Sequence, residues 1–230
     1  MGKGGIMVVD SLEVELVKLK EEIMKMGRLL EEQIYKAVKS LVDKDIEMAR
    51  EVIARDDIID AMALEIENKC LELIALKQPM ARDLRFIGTA LRIIVDMERM
   101  ADHAEDICEI TINLYDQKYI KPLIDIPRMA EIAEQMVRVA MKAYIDSNVD
   151  LAMTLVEMER QSDDLYVQVY RDLLTYMMQD AHNIPQASDL LLVAGHLERI
   201  ADHATNLGEM VVYNVEGRRV DINVIARQVK

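Results

Sequence analysis

Tryptophan is absent, phenylalanine occurs once, and aromatic residues make up only 4% of the 230 positions. Strands draw heavily on aromatic and β-branched side chains. The scarcity therefore points to helices packed through Leu, Ile, Met and Ala, and methionine alone occurs 17 times. Cysteine is nearly missing. Cys70 and Cys108 stand far apart inside helical patterns with no CxxC, which predicts reduced core thiols in a cytosolic protein. Basic residues are in deficit, 28 against 42 acidic, for a net charge of −14. Binding of nucleic acid or an anionic membrane through bulk charge needs the opposite sign. This surface suits cations or a basic partner. No apolar run reaches bilayer length, and Met1 to Asp10 lacks the long apolar region of a signal peptide. Met1-Gly2 is not a myristoylation signal, because Ile6 stands where Ser or Thr is required.

Several catalytic patterns are absent as well. There is no Glu-x-x-His of the ferritin-like di-iron proteins, no HExxH, no Gly-rich phosphate loop, and no Ser or Cys beside a base. The order Asp-His, where a metal phosphohydrolase would have His-Asp, weakens a hydrolase reading. Nothing in the sequence demands catalysis.

What the chain does contain is one stretch twice. Glu98-Arg99-Met100-Ala101-Asp102-His103-Ala104-Glu105-Asp106 recurs one hundred positions later as Glu198-Arg199-Ile200-Ala201-Asp202-His203-Ala204-Thr205-Asn206. A duplication at half-chain scale is not a solenoid, whose repeats are far shorter. Both copies lie in long apolar-periodic segments free of Gly and Pro at the motif, so both are placed on helices. At about 100° per residue, Glu98, Asp102 and Asp106 fall within roughly 80° of arc. Glu105 and Glu109 share that sector, and Glu198, Asp202, Asn206 and Glu209 form its counterpart. The opposite side carries Ile93, Met97, Met100, Ala104 and Ile107, then Val193, Leu197, Ile200, Ala204 and Leu207.

Stacked like charges at i,i+4 repel by a few tenths of a kcal/mol each. Two readings accommodate them. In one, the stripe is a solvated face whose acids pair with Arg99 and Arg199. In the other, it is a set of oxygen ligands for hard or borderline cations. The sector turns apolar one turn earlier, at Ile87, Leu91 and Ile94, then at Ala187, Leu191 and Ala194. That change favours ligands, and it predicts a covered patch that serves as a dimer contact or a docking face. His103 and His203 lie near the sector's edge, either as ligands or as supporting or surface histidines. A rigid cluster needs a second helix, and the preceding helix of each half supplies Asp56 with Asp60, and Glu159 with Asp163. Asp57 and Asp164 rank below them.

The order of segments predicts an all-α fold: two tandem three-helix up-down bundles related by an internal pseudo-twofold, elongated in shape. A first bundle spans 11–116, a linker 117–127, a second bundle 128–217 and a tail 218–230. Met1–Gly5 reads as a disordered tip. Asp10 or Ser11 caps the first helix, Asp45 caps the second, and one continuous helix runs from about Val149 to Met178.

At these residues the chain resembles the PhoU family of phosphate-uptake regulators. The pieces that carry the resemblance are Cys70 with Lys77-Gln78-Pro79, Asp83-Leu84-Arg85, Glu98-Arg99 with Asp102, Leu174-Thr175-Tyr176-Met177-Met178 with Ile184-Pro185, and Glu198-Arg199 with Asp202 and Asn206. The resemblance covers nearly the whole chain, with Ala101 and Ala201 where the family often has Gly. It implies multinuclear metal clusters of iron or zinc, with manganese or magnesium as alternatives. Carried over position by position, the ligands are Glu98, Asp102, Asp106, Glu198, Asp202 and Asn206, supported by Asp56, Asp60, Glu159 and Asp163. Asn206 leaves the second site one charge poorer. The resemblance further implies a cytoplasmic homodimer and no enzyme activity. Its partners would be the ATPase subunit of a phosphate ABC transporter and a phosphate sensor histidine kinase, whose signalling it restrains. The rival readings are a metal-dependent phosphoester hydrolase and a metal-storage or metal-sensing bundle.

Overall fold

The computed structural model describes residues 4–228, with side chains from 12 to 228. Three long helices form the first half: α1 (Gly4–Asp43), α2 (Ile46–Lys77) and α3 (Ala81–Leu114). The second half contains α4 (Asp125–Asp146), α5 (Val149–Met153), α6 (Leu155–Gln179), α7 (Ile184–Glu216) and α8 (Ile222–Gln228), with a short 3-10 turn at Ala181–Asn183. Among the described residues there is no strand, and no helix is long and apolar enough to cross a membrane.

The apolar spacing explains the long helices. Leu19, Ile23, Met26, Leu30, Ile34, Ala37 and Leu41 recur every three or four positions along α1, and all are fully buried. Asp45 caps α2 by accepting from Met48 N at 2.9 Å, and Asn148 caps α5 from the same place in the second half, accepting from Leu151 N at 3.0 Å. Each cap follows a residue with positive φ, Lys44 and Ser147, that reverses the chain. Gly217, at φ +72°, ends α7.

Three expectations are corrected. The first helix begins at Gly4, ahead of the expected caps Asp10 and Ser11, because no breaker interrupts the run and extending a helix costs far less than nucleating one. Of the tip expected at Met1–Gly5, residues 1–3 lie outside the described residues, while Gly4 and Gly5 begin α1. The helix expected from Val149 to Met178 is broken at Thr154, whose N–H and Oγ1 both donate to Leu151 O. This break lets Leu155 tuck against Gly208 of α7, where a Cβ would lie only 2.5 Å from Leu155 Cδ1. The tail also folds: α8 buries Ile222 and Ala226.

The halves pack directly on each other. The most extensive helix contact is between α3 and α7, and α1 packs along α4, so that one continuous core spans both bundles. Gly27 permits the α1–α4 approach, since a Cβ there would meet Met141 Cε at 2.9 Å. The linker is held in place by buried Gln186, which accepts from Ile120 N at 2.6 Å and donates to Lys118 O at 3.1 Å. The apolar patch expected to be covered by a partner is covered by the chain itself. Ile87, Ile94, Ala187 and Ala194 are buried in the shared core, and Leu91 and Leu191 pack partly buried against it.

Candidate metal centre

Because α2 packs on α3 and α6 packs on α7, acids from neighbouring helices converge twice. In the first half, Asp56 and Asp60 of α2 face Glu98, Asp102 and Glu105 of α3. Burial raises the Asp56 carboxyl above its usual range, with Asp60 and Asp102 adding to the rise, and Glu98 rises for the same reason with Asp60 and Asp102 beside it. Glu105 is pushed up to about 7 by burial, with Asp56, Glu109, Asp102 and Asp106 around it. Gln33 of α1, itself buried, donates to Asp56 Oδ1 at 3.4 Å. Arg99 donates to Asp102 Oδ2 at 3.3 Å from an exposed position, so the ion pair of the solvated-face reading exists at one member of the cluster.

In the second half, Glu159 and Asp163 of α6 converge with Glu198 and Asp202 of α7. Glu159 is only 3% exposed. Burial raises its carboxyl, as do Asp202, Asp163 and Glu198, and burial raises the Asp202 carboxyl as well. Burial likewise raises Glu198. Glu159 Oε2 is buried without a hydrogen-bond partner. An orphaned acidic oxygen facing other carboxylates is what a cation site leaves when the cation is subtracted. The donor set, all carboxylate oxygen from two helices per cluster, suits hard and borderline cations.

The helix spacing therefore brings eight sequence-predicted residues into two clusters: Asp56, Asp60, Glu98 and Asp102, and Glu159, Asp163, Glu198 and Asp202. It does not bring in the other two. Asp106 turns toward the α3–α7 seam, 3.6 Å from His103 Nδ1 and 3.3 Å from His196 Nδ1. Asn206 turns to the same seam and donates to Asp96 Oδ1 at 3.0 Å. The charge difference between the clusters accordingly comes from elsewhere. Helix α8 lies over the second cluster, where Asn223 Nδ2 donates to Asp202 Oδ1 at 2.7 Å and Arg227 offsets a small part of the rise that burial gives Glu198 and Asp202. Glu209, expected in the acidic stripe, accepts from Ile222 N at 2.9 Å and so fixes the start of α8.

His103 and His203 are part-buried at the seam rather than on the surface. Sequence reasoning missed Asp96, His196 and Asn223. The first two had a signal: positions 96, 103 and 106 and their mates 196, 203 and 206 are polar at one helical face of both copies.

Comparison with known proteins places this arrangement. The PhoU domain matches residues 23–111 and again 126–211, one match per half. The phosphate-specific transport system accessory protein PhoU homolog of Clostridium acetobutylicum is 37% identical over 212 residues, covering 92% of this chain and 97% of that protein. The homolog from Aquifex aeolicus is 42% identical over 206 residues, covering 90% and 93%. The crystal structure of PhoU from Pseudomonas aeruginosa superposes with a TM-score of 0.86 at 31% identity, over 90% of this chain and 99% of that one. The phosphate transport system regulatory protein PhoU from Streptococcus pneumoniae gives 0.85 at 30%, over 91% and 99%. On family, fold and coverage together, this chain belongs to the PhoU domain family of regulatory accessory proteins, which are not enzymes.

Proposed function

We infer that this protein is a metal-loaded regulator of phosphate uptake that acts by binding rather than by turnover. The observation that carries the reading is the mirrored pair of acidic clusters, each drawn from two helices and each raised toward protonation by burial and mutual repulsion. In the first cluster Glu98, Asp102, Asp56 and Asp60 hold the metal, and in the second Glu198, Asp202, Glu159 and Asp163 hold it. These residues would hold a multinuclear cluster of iron or zinc, whose positive charge would cancel the repulsion between carboxylates on α2 and α3 and on α6 and α7. Asp106 and Asn206 stand at the α3–α7 seam and are left out of both clusters.

The relatives' names connect them to phosphate-specific transport, and on that basis the partners are the ATPase subunit of a phosphate ABC transporter and the phosphate sensor histidine kinase. A homodimer working in the cytoplasm restrains both. Beside the first cluster, Leu64, Leu71 and Val95 stand exposed in a groove that also holds Asp60 and Glu98. This juxtaposition offers a partner an apolar contact next to a metal-stiffened edge. The test is a pull-down of the transporter ATPase by the full chain, with and without the combined substitution of Glu98, Asp102, Glu198 and Asp202 to Ala. Capture should be lost in the quadruple variant. Equal capture by the variant, folded by circular dichroism, would remove the metal from the mechanism.

A further inference from the structure

The α3–α7 seam gathers three of the chain's four histidines. The pseudo-twofold pairs Asp96 with His196, His103 with His203, and Asp106 with Asn206. The two sides of this seam have diverged in chemistry. On one side His203 Nδ1 donates to Asp96 Oδ1 at 2.8 Å, and Asn206 Nδ2 donates to the same oxygen at 3.0 Å. Those are ordinary charge-assisted lengths, and the three groups satisfy one another.

The other side is different. His103 Nδ1, His196 Nδ1 and Asp106 Oδ2 form a triangle with edges of 3.3, 3.3 and 3.6 Å. A charge-assisted N–H···O bond would close to about 2.7–2.9 Å. Two ring nitrogens facing each other gain little from a single shared proton. An ion bound at about 2.0–2.2 Å in tetrahedral geometry, however, separates its ligand atoms by about 3.3–3.6 Å. The triangle has the edges of a coordination polyhedron rather than the lengths of an ion pair.

We propose that His103, Asp106 and His196 bind one borderline transition-metal ion of the Zn2+ or Co2+ class at the seam, separate from the carboxylate clusters. Two imidazoles and one carboxylate select against Mg2+ and Ca2+, which prefer all-oxygen shells. The two imidazole side chains are 13% and 16% exposed while Asp106 is 46% exposed, so the fourth position opens toward water on the Asp106 side. His103 and Asp106 come from the first half and His196 from the second, so the ion cross-links the halves. The pseudo-symmetric position offers no equal site, because Asn206 replaces the carboxylate and Asp96 is already bonded. The chain therefore takes one such ion.

The test is titration of the metal-free full chain with Co2+, followed by its visible absorption. The parent, His196→Ala, His203→Ala and the quadruple carboxylate variant are compared. The parent and His203→Ala should bind one more Co2+ per chain than His196→Ala. The quadruple variant should retain a single Co2+ with an imidazole signature, which keeps this site distinguishable from the clusters. In parallel, nitrogen-15 NMR of the parent titrated with Zn2+ until its carboxylate clusters are also filled should shift the ring signals of His103 and His196 and leave exposed His182 unmoved; this arm stands even if His196→Ala does not fold. Unmoved His103 and His196 signals, an unchanged Co2+ count in a folded His196→Ala, or no Co2+ in a folded quadruple variant would overturn the proposal.

Discussion

Glu159→Gln should make the metal-free protein more stable at high pH and less able to hold metal. Burial, with Asp202, Asp163 and Glu198 nearby, raises the Glu159 carboxyl from 4.5 to about 8. A carboxyl raised in the folded state stabilises the fold below its unfolded value. That contribution is lost as pH climbs from about 4.5 through about 8, because across this range the native state binds more protons than the unfolded one. At about 1.4 kcal/mol for each pH unit between the two values, the ceiling is about 5 kcal/mol. The neighbouring Asp202 carboxyl, itself raised and taking part in the same titration, and solvent screening reduce this to about 2–3 kcal/mol. The assay is urea unfolding in chelator at pH 5 and pH 9, parent against variant. Acids outside the second cluster respond alike in both proteins, so the difference reports Glu159 together with its partner Asp202. The variant should match the parent at pH 5 and exceed it by about 2–3 kcal/mol at pH 9. Adding Mn2+ or Zn2+ should narrow the gap at pH 9 by about 1.4 kcal/mol or more, since a neutral amide replaces a charged ligand and weakens binding by tenfold or more. A variant less stable than the parent at both pH values without metal would refute the reasoning, because it would mean the carboxylate makes a favourable native contact.

Other substitutions probe the supporting structure. Gly208→Ala puts a Cβ 2.5 Å from Leu155 Cδ1 and 3.0 Å from Ile222 Cδ1, and should cost about 1–3 kcal/mol in urea unfolding while loosening α8. Asn223→Ala removes the bonds to Asp202 Oδ1 and from Thr205 Oγ1, both 2.7 Å, and should cost about 1–2 kcal/mol with faster amide exchange confined to α8. Tyr144→Phe deletes the hydroxyl that donates to Phe86 O at 3.0 Å and contacts Thr89 Oγ1 at 3.2 Å between α3 and α4. It should lower thermal stability by about 1 kcal/mol without altering metal content.

The long helices and the pairing of acids between neighbours were legible because both follow from periods of three and four along one chain. Asp56 and Asp60 had to meet Glu98 and Asp102 once α2 and α3 were antiparallel, and Glu159 and Asp163 followed the same logic. The fate of Asp106 and Asn206 was not legible, because an arc of roughly 80° is wide enough to reach two neighbours. Which neighbour each residue faces depends on how the halves pack through α3 and α7. The break at Thr154 was hidden because the apolar period continues across it, and the contact that goes with it, Leu155 against Gly208, is tertiary. Helix α8 has seven residues, too few to display a period, and its burial of Ile222 and Ala226 is set in place by the polar contacts of Glu209 and Asn223.

The central claim is that the two carboxylate clusters are built around bound metal. Elemental analysis of the full chain purified without chelator tests it most directly, alongside the variant with Glu98, Asp102, Glu198 and Asp202 all changed to Ala. The account predicts several transition-metal ions per parent chain and loss of all but the seam ion from the variant. A parent free of metal, or a folded variant carrying as much metal as the parent, would contradict it.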